Sequence, residues 1–195
     1  MSIRATALGA AALLALAGCN RSEPQVQNGM TADTMSTNGM AEGNAMADAT
    51  PAALPAAQVF ANAAAASDAF EIETSKLALT NGASASVKSY ARTMIEAHTA
   101  STAKLKTAAG SATPAITPDP TLNAEQQQKL DQLKGLNGTA FDQAYIAEQT
   151  AGHQQTLDTL KAYAATGESA PLKTFATGLI PTVTAHLNMA KGLKA

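Results

Sequence analysis

Three histidines carry the strongest chemical signal in this chain of 195 residues, because they are all the imidazoles that it has. They are His98, His153 and His186, and each lies on the apolar stripe of a different predicted long helix. A further long helix has no histidine but carries Glu71 at the edge of its stripe. Imidazoles with a carboxylate are suitable ligands for Zn²⁺ or Fe²⁺. The pattern therefore predicts one polar cluster inside a helical protein, with these four residues as candidate metal ligands.

The same histidines have a purely structural interpretation. In that interpretation the three core imidazoles hydrogen-bond to Tyr90, Tyr145, Gln149 or one another, as buried polar groups normally do. A lone histidine on an apolar face is usually such a core residue. Three out of three on core stripes strengthen the metal hypothesis, but the sequence leaves both interpretations open.

The sequence disfavours a dinuclear iron centre. Bundles of that kind use a Glu-x-x-His pair on two of their helices, and this chain contains no such pair. Glu96 stands two residues before His98, which points it away from the core. No nucleophile motif or phosphate-binding loop is present either. The sequence predicts no catalytic residue and favours a binding module over an enzyme.

Helix caps and breakers mark five helices, four long and one short. Asn81-Gly82 is typical of a left-handed C-terminal stop, and Ser84 is a candidate N-cap. Asn123 with Gln126 has the spacing of a capping box. A proline inside the last helix, Pro181, predicts a kink there. The predicted helices cover about residues 56–80, 85–110, 123–136, 139–167 and 170 to near the end of the chain.

The connector between the second and third long helices predicts the topology. Antiparallel neighbours are usually joined by about 2 to 8 residues, whereas this connector has roughly 28. A crossover back to the first end of the bundle also brings Glu71, His98 and His153 to similar heights. We therefore predict an all-α four-helix bundle with a long crossover that contains the short helix.

Asp142 and Tyr145 also lie near the start of the third long helix. Asp142 stands three residues after Thr139, a predicted N-cap, and the pair reads as a capping box that the helix dipole also favours. Tyr145 is interpreted as a packing residue whose hydroxyl is hydrogen-bonded. Neither residue is assigned to the metal site.

The beginning of the chain explains its one cysteine. Arg4 precedes an apolar run over residues 5–17, which is too short and wrongly flanked for a membrane-spanning helix. The run ends in Leu16-Ala17-Gly18-Cys19, which resembles the lipobox of bacterial lipoproteins. The resemblance implies a signal peptide over residues 1–18 and a lipidated Cys19. An ordinary cleaved signal peptide is the alternative.

The same resemblance predicts where the protein resides. Asn20, rather than aspartate, follows the cysteine, which implies an outer-membrane lipoprotein that faces the periplasm. The alternative signal would leave a soluble periplasmic protein. The membrane is thus the predicted partner, through the lipid anchor. A formal net charge of −2, with 14% charged residues, gives no indication of a basic surface that would bind nucleic acid.

Residues 19–54 are predicted to be a disordered tether between the anchor and the bundle of residues 55–195. They are rich in small and polar residues and show no apolar periodicity. Met30 and Met40 each follow an Asn-Gly pair, and thioethers are soft ligands for Cu(I). Copper binding by the tether is thus an alternative to a plain low-complexity linker.

Five stretches from about residue 56 to residue 193 carry a family pattern. They are Phe70-Glu71-Ile72-Glu73 with Lys76-Leu77-Ala78, Val87-Lys88 through Met94-Ile95-Glu96-Ala97-His98-Thr99, Gly138 through Ile146, His153-Gln154, and Leu179-Ile180-Pro181-Thr182 with His186-Leu187. They resemble the bacterial "domain of unknown function 4142" family. The resemblance implies a ferritin-like fold and no particular activity. Ala97 stands where the family pattern has an aspartate before the histidine, which weakens a carboxylate-rich site.

Two functions follow from the sequence. The first is a membrane-anchored cell-envelope lipoprotein whose helical bundle is a non-enzymatic binding or stress-related module. The second is a metal-binding ferritin-like bundle with a mononuclear, histidine-rich site for zinc or iron.

Overall fold

The computed structural model describes residues 54–195, so the predicted signal peptide, Cys19 and almost all of the predicted tether lie outside the described residues. Within that part of the chain the fold is all-α and contains no strand, as the sequence predicts. The helices are α1 (Ala56–Asn81), α2 (Ala85–Gly110), α3 (Ala124–Lys134), α4 (Gly138–Thr166) and α5 (Ala170–Gly192).

The four long helices form a bundle in which each packs against two antiparallel neighbours. Helix α1 packs against α2 and α4, and α5 packs against the same two. The short α3 lies outside the bundle against α1 and α4. Among the described residues, no helix combines the length and apolar character needed to cross a membrane.

The predicted crossover is confirmed by contacts between the α1–α2 turn and the start of α4. The backbones of Gly82 and Gly138 pair in an isolated bridge, and the Asn81 amide donates to the Leu136 carbonyl over 3.0 Å. The end of the chain returns there too, because the Ser84 hydroxyl donates to the Lys194 carbonyl. A four-helix bundle with one crossover is the arrangement expected of a ferritin-like fold.

The predicted capping box at the start of α3 is confirmed, whereas Ser84, at the N-cap position of α2, makes no side-chain capping bond. Asn123 and Gln126 form the capping box at the start of α3, each side chain accepting from the other's backbone N–H. That helix ends at Lys134, two residues earlier than predicted. Helix α5 continues through Pro181.

The prediction for Gly82 was wrong in its conformation. Its φ of −68° and ψ of 151° are extended rather than left-handed. Glycine is needed because of close approach: a Cβ there would lie 2.7 Å from the Ala78 carbonyl oxygen and 2.8 Å from Asp142 Oδ1. The left-handed glycine is Gly138, whose φ is +63° at the first residue of α4.

The capping role predicted for Thr139 and Asp142 was also wrong. The N-cap of α4 is Asn137, and no side chain caps that helix end. Asp142 is fully buried and accepts instead from the backbone N–H groups of Ala83 and Ser84, at 3.2 and 2.8 Å. The carboxylate thus ties the α1–α2 turn to α4, because the crossover brings the two together.

Two hydrophobic clusters make up the core, one toward each end of the bundle. The cluster beside the α1–α2 turn includes Met94 and Phe141, and the cluster at the opposite end includes Leu105 and Leu157. In α2, His98 comes between Met94 and Leu105 along the helix. The predicted polar residues therefore form a layer between two apolar ones.

Candidate metal centre

The structure brings the three histidines together in that polar layer. His98 comes from α2, His153 from α4 and His186 from α5, and their exposed fractions are 6, 1 and 6%. Their ring centroids lie 5.4 to 5.7 Å apart. One ring nitrogen of each lies within 4.8 Å of the others, and no other Cys, Asp or Glu among the described residues joins this group.

The backbone of α4 sets the orientation of His153. Its Nδ1 lies 2.8 Å from the Gln149 carbonyl oxygen, one helical turn earlier. A carbonyl can only accept, so Nδ1 carries the proton and the Nε2 lone pair is left free. His153 Nε2 is buried and has no hydrogen-bond partner.

A carboxylate on the neighbouring helix orients His98 in the same way. His98 Nδ1 donates to Asp68 Oδ1 over 2.8 Å, and both side chains are buried. Thr102 donates to the other oxygen, Oδ2, over 3.1 Å. His98 Nε2 is buried and has no partner. Carboxylate–histidine pairs of this kind orient imidazole ligands in metal sites.

Four of the buried polar atoms that have no partner lie in this layer. They are His98 Nε2, His153 Nε2, His186 Nδ1 and Gln149 Oε1. Leaving one buried polar atom without a partner costs about 1–3 kcal/mol. A further group, such as a metal ion or a water molecule, is therefore needed to satisfy these atoms. The Tyr90 hydroxyl contacts only the His186 carbonyl, and the Tyr145 hydroxyl bonds Ser75 Oγ, as a hydrogen-bonded packing residue should.

Burial and neighbouring charges give the three rings different proton affinities. Burial, with the charge of His98, lowers the pKa of His153 to about 4. Burial and the other two rings lower the pKa of His186 to about 4. Burial also lowers the pKa of His98, but the bond to Asp68 and the nearby Glu71 outweigh it and raise that pKa overall. Two rings are therefore neutral at physiological pH and ready to act as ligands.

Glu71 is buried beside the cluster, but it does not belong to the group of three nitrogens. Its Oε1 lies 3.8 Å from His153 Nδ1, the nitrogen that already faces the Gln149 carbonyl. Its Oε2 accepts from Gln149 Nε2 over 2.6 Å. Burial raises the pKa of Glu71, partly opposed by the charge of His98 and the Gln149 bond. The structure thus places this predicted ligand behind His153, where it orients Gln149.

Asp68 is the residue of the site that sequence reasoning missed. It stands three residues before Glu71, so the two carboxylates share one face of α1. That spacing is the signal in the sequence that points to Asp68. Glu96, in contrast, is exposed as predicted.

The three nitrogens are close to the arrangement that a metal ion requires. Around one ion with bonds of about 2.0–2.1 Å, tetrahedral ligand atoms lie about 3.4 Å apart. The observed spread of 4.8 Å would close by at most about 1.4 Å, shared among three side chains. Three imidazole nitrogens are a set of donor atoms that suits zinc, copper or iron.

Comparisons with known proteins address the family and the fold. Residues 42–193 match the model of a family described as "Domain of unknown function (DUF4142)". No curated protein matches the chain. A solved structure described as "CopM in the Cu(I)-bound form" is similar, with a TM-score of 0.58 and 16% identity over 71% of this chain and 95% of that chain. At that identity the similarity supports the helical fold alone.

Proposed function

Because the chain belongs to the DUF4142 family, whose description assigns no activity, we propose from its own residues that the bundle binds one transition-metal ion through His98, His153 and His186. One observation carries the proposal: three buried imidazoles from three helices each bring a ring nitrogen within 4.8 Å of the other two, and each ring has a nitrogen without a hydrogen-bond partner. The proposal is binding alone and assigns no reaction.

The surroundings of the rings support binding. Asp68 and the Gln149 carbonyl accept hydrogen bonds from Nδ1 of His98 and His153, which leaves the Nε2 lone pair free in the neutral form of each ring. The low pKa of His153 and His186 keeps those rings neutral, and only neutral imidazole can ligate. Hydrophobic clusters on both sides surround the layer with apolar groups, which strengthens the electrostatic interactions within it.

Copper and zinc are the metals we place first. Imidazole suits both ions, and copper binds most tightly among the divalent first-row metals. The structural neighbour is described in a Cu(I)-bound form, which favours copper as the first ion to test. Iron, which the sequence also suggested, comes third because the site holds no carboxylate in the group of three.

The protein is also proposed to work in the cell envelope, tethered to the outer membrane through a lipidated Cys19. The basis is the Leu-Ala-Gly-Cys sequence with Asn20 after it. Three acyl chains at about 0.8 kcal/mol per buried CH₂ would anchor the bundle firmly. A metal-binding bundle there would sequester or buffer ions that enter the periplasm.

The test is metal binding by the purified chain. We expect one equivalent of copper or zinc per chain by elemental analysis, and a higher melting temperature, since an ion that binds only the folded state stabilises it by mass action. His153→Gln should abolish both effects. Gln154→Ala changes an exposed neighbour on the same helix and should leave both effects intact. Unchanged melting with copper, zinc and iron would refute the proposal.

A further inference from the structure

A small, partly open cavity lies between the helices beside two of the histidines. Its volume is about 40 Å³, and residues of all four long helices line it. His98 and His186 form part of its wall, together with Asp68 and Ser101. His153, the third proposed ligand, does not line it. The cavity therefore borders two of the three rings on one side.

Two histidines in the wall of this cavity have ring nitrogens without hydrogen-bond partners. His98 Nε2 and His186 Nδ1 are buried and make no hydrogen bond, although both rings border the space. An ion held between the three rings would thus lie next to the cavity. The described residues contribute no fourth Cys, His, Asp or Glu to the group.

We propose that this cavity holds one small ligand that is not part of the protein and that binds the metal, either a water molecule or a compact anion such as azide. The inference rests on the proposed metal site. Metal sites with three protein ligands keep a fourth position for water or substrate, whereas structural sites are closed by a fourth side chain. The present site belongs to the open class.

The volume sets the size of the ligand. A water molecule needs about 10–15 Å³ of such space, so a cavity of about 40 Å³ admits a ligand of two or three heavy atoms. Leu160, Phe175 and Val183 also line the cavity, together with the exposed Thr182.

The test uses the full chain loaded with Cu²⁺ and titrated with sodium azide. Azide bound to copper gives a visible charge-transfer band, while elemental analysis measures copper independently. We expect saturable binding of one azide per copper. Ser101→Val puts two methyl groups in place of a hydroxyl in the cavity wall, and should weaken azide binding at least tenfold with copper content unchanged. Ser89→Val makes the same change at an exposed position of α2 and should alter neither.

The outcomes separate the two proposals. Bound copper with no azide band, or equal azide affinity in Ser101→Val, would overturn the cavity proposal and leave the metal site standing. Failure to bind copper, zinc or iron would overturn both.

Discussion

The Asp68 carboxylate on α1 accepts a hydrogen bond from His98 Nδ1 on α2 over 2.8 Å, with both side chains buried. The bond holds the Nδ1 edge of the ring toward α1, and Nε2, on the other side of the ring, has no hydrogen-bond partner. It also keeps a proton on His98 to a higher pH than usual, because the pKa of the ring is raised despite burial. Asp68 thus controls both the orientation and the charge of one proposed ligand.

Asp68→Asn should weaken metal binding about 10- to 100-fold, the usual cost of losing a partner that orients a ligating histidine. The amide keeps the shape of the side chain but cannot accept the proton as strongly. Competition with a chelator of known affinity measures the change. Asp158→Asn, at an exposed position of α4, is the matched control and should bind as the wild type does. Equal affinities for the two variants would remove Asp68 from the site.

Metal binding should release about one proton per ion at pH 5.5. His153 and His186, with pKa values of about 4, are already neutral there, whereas His98, with its raised pKa, must lose its proton to ligate. Affinity should therefore rise with pH until the pKa of His98 is passed. Calorimetry in buffers of different ionisation enthalpy counts the protons. Three ordinary imidazoles with a pKa of about 6.5 would release nearly three, and that result would contradict the assigned proton affinities.

The same pKa values predict the acid sensitivity of the metal-free bundle. Because the folded-state pKa of His153 and His186 is below 6.5, both rings stabilise the fold fully above pH 6.5. That contribution is lost as the pH falls from 6.5 through about 4. His98 and Glu71, whose pKa values are raised, contribute with the opposite sign. Urea unfolding of the wild type and of a histidine variant at pH 7 and pH 5 therefore measures the loss as a difference between the two proteins. His186→Gln should reduce the pH dependence, and an identical pH profile for the variant would refute this origin.

Gly82→Ala should destabilise the bundle by about 1–3 kcal/mol, as overpacking of a tight site typically does. The added Cβ would meet the backbone oxygen of Ala78 at 2.7 Å and the Asp142 carboxylate at 2.8 Å, and backbone cannot move aside cheaply. Chemical denaturation measures the free energy of unfolding. Gly110→Ala is the control, because no atom lies within 4 Å of a Cβ there. If Gly110→Ala lowered the free energy of unfolding and Gly82→Ala did not, the requirement for glycine at position 82 would be wrong.

Cys19→Ser should release the protein from membranes or block its maturation. The serine hydroxyl cannot accept the lipid that the proposed lipobox directs to Cys19. Fractionation of cells, followed by detection of the protein in membrane and soluble fractions, measures the change. Ser22→Ala, three residues later, should leave membrane association intact. A Cys19→Ser protein that still cofractionates fully with the outer membrane would defeat the lipoprotein proposal.

The sequence by itself determined the helices, their order and the layer at which the histidines meet. Apolar residues spaced three and four apart place His98, His153 and His186 on buried faces, and these faces are local properties of each helix. The length of the connector between α2 and α4 excluded a tight turn. The length of this connector and the helical periodicity therefore predict the architecture.

Only the tertiary structure decided which atoms face which partners. Asp68 and His98 are 30 residues apart, Glu71 and Gln149 are 78 apart, and Asp142 bonds a turn 58 residues before it. Such pairs depend on the rotation of each helix about its axis and on side-chain rotamers, which helical periodicity leaves undetermined by tens of degrees. A rotation of that size moves a carboxylate from one side of an imidazole ring to the other. That is why Glu71 lies behind His153 and why Asp68 orients His98.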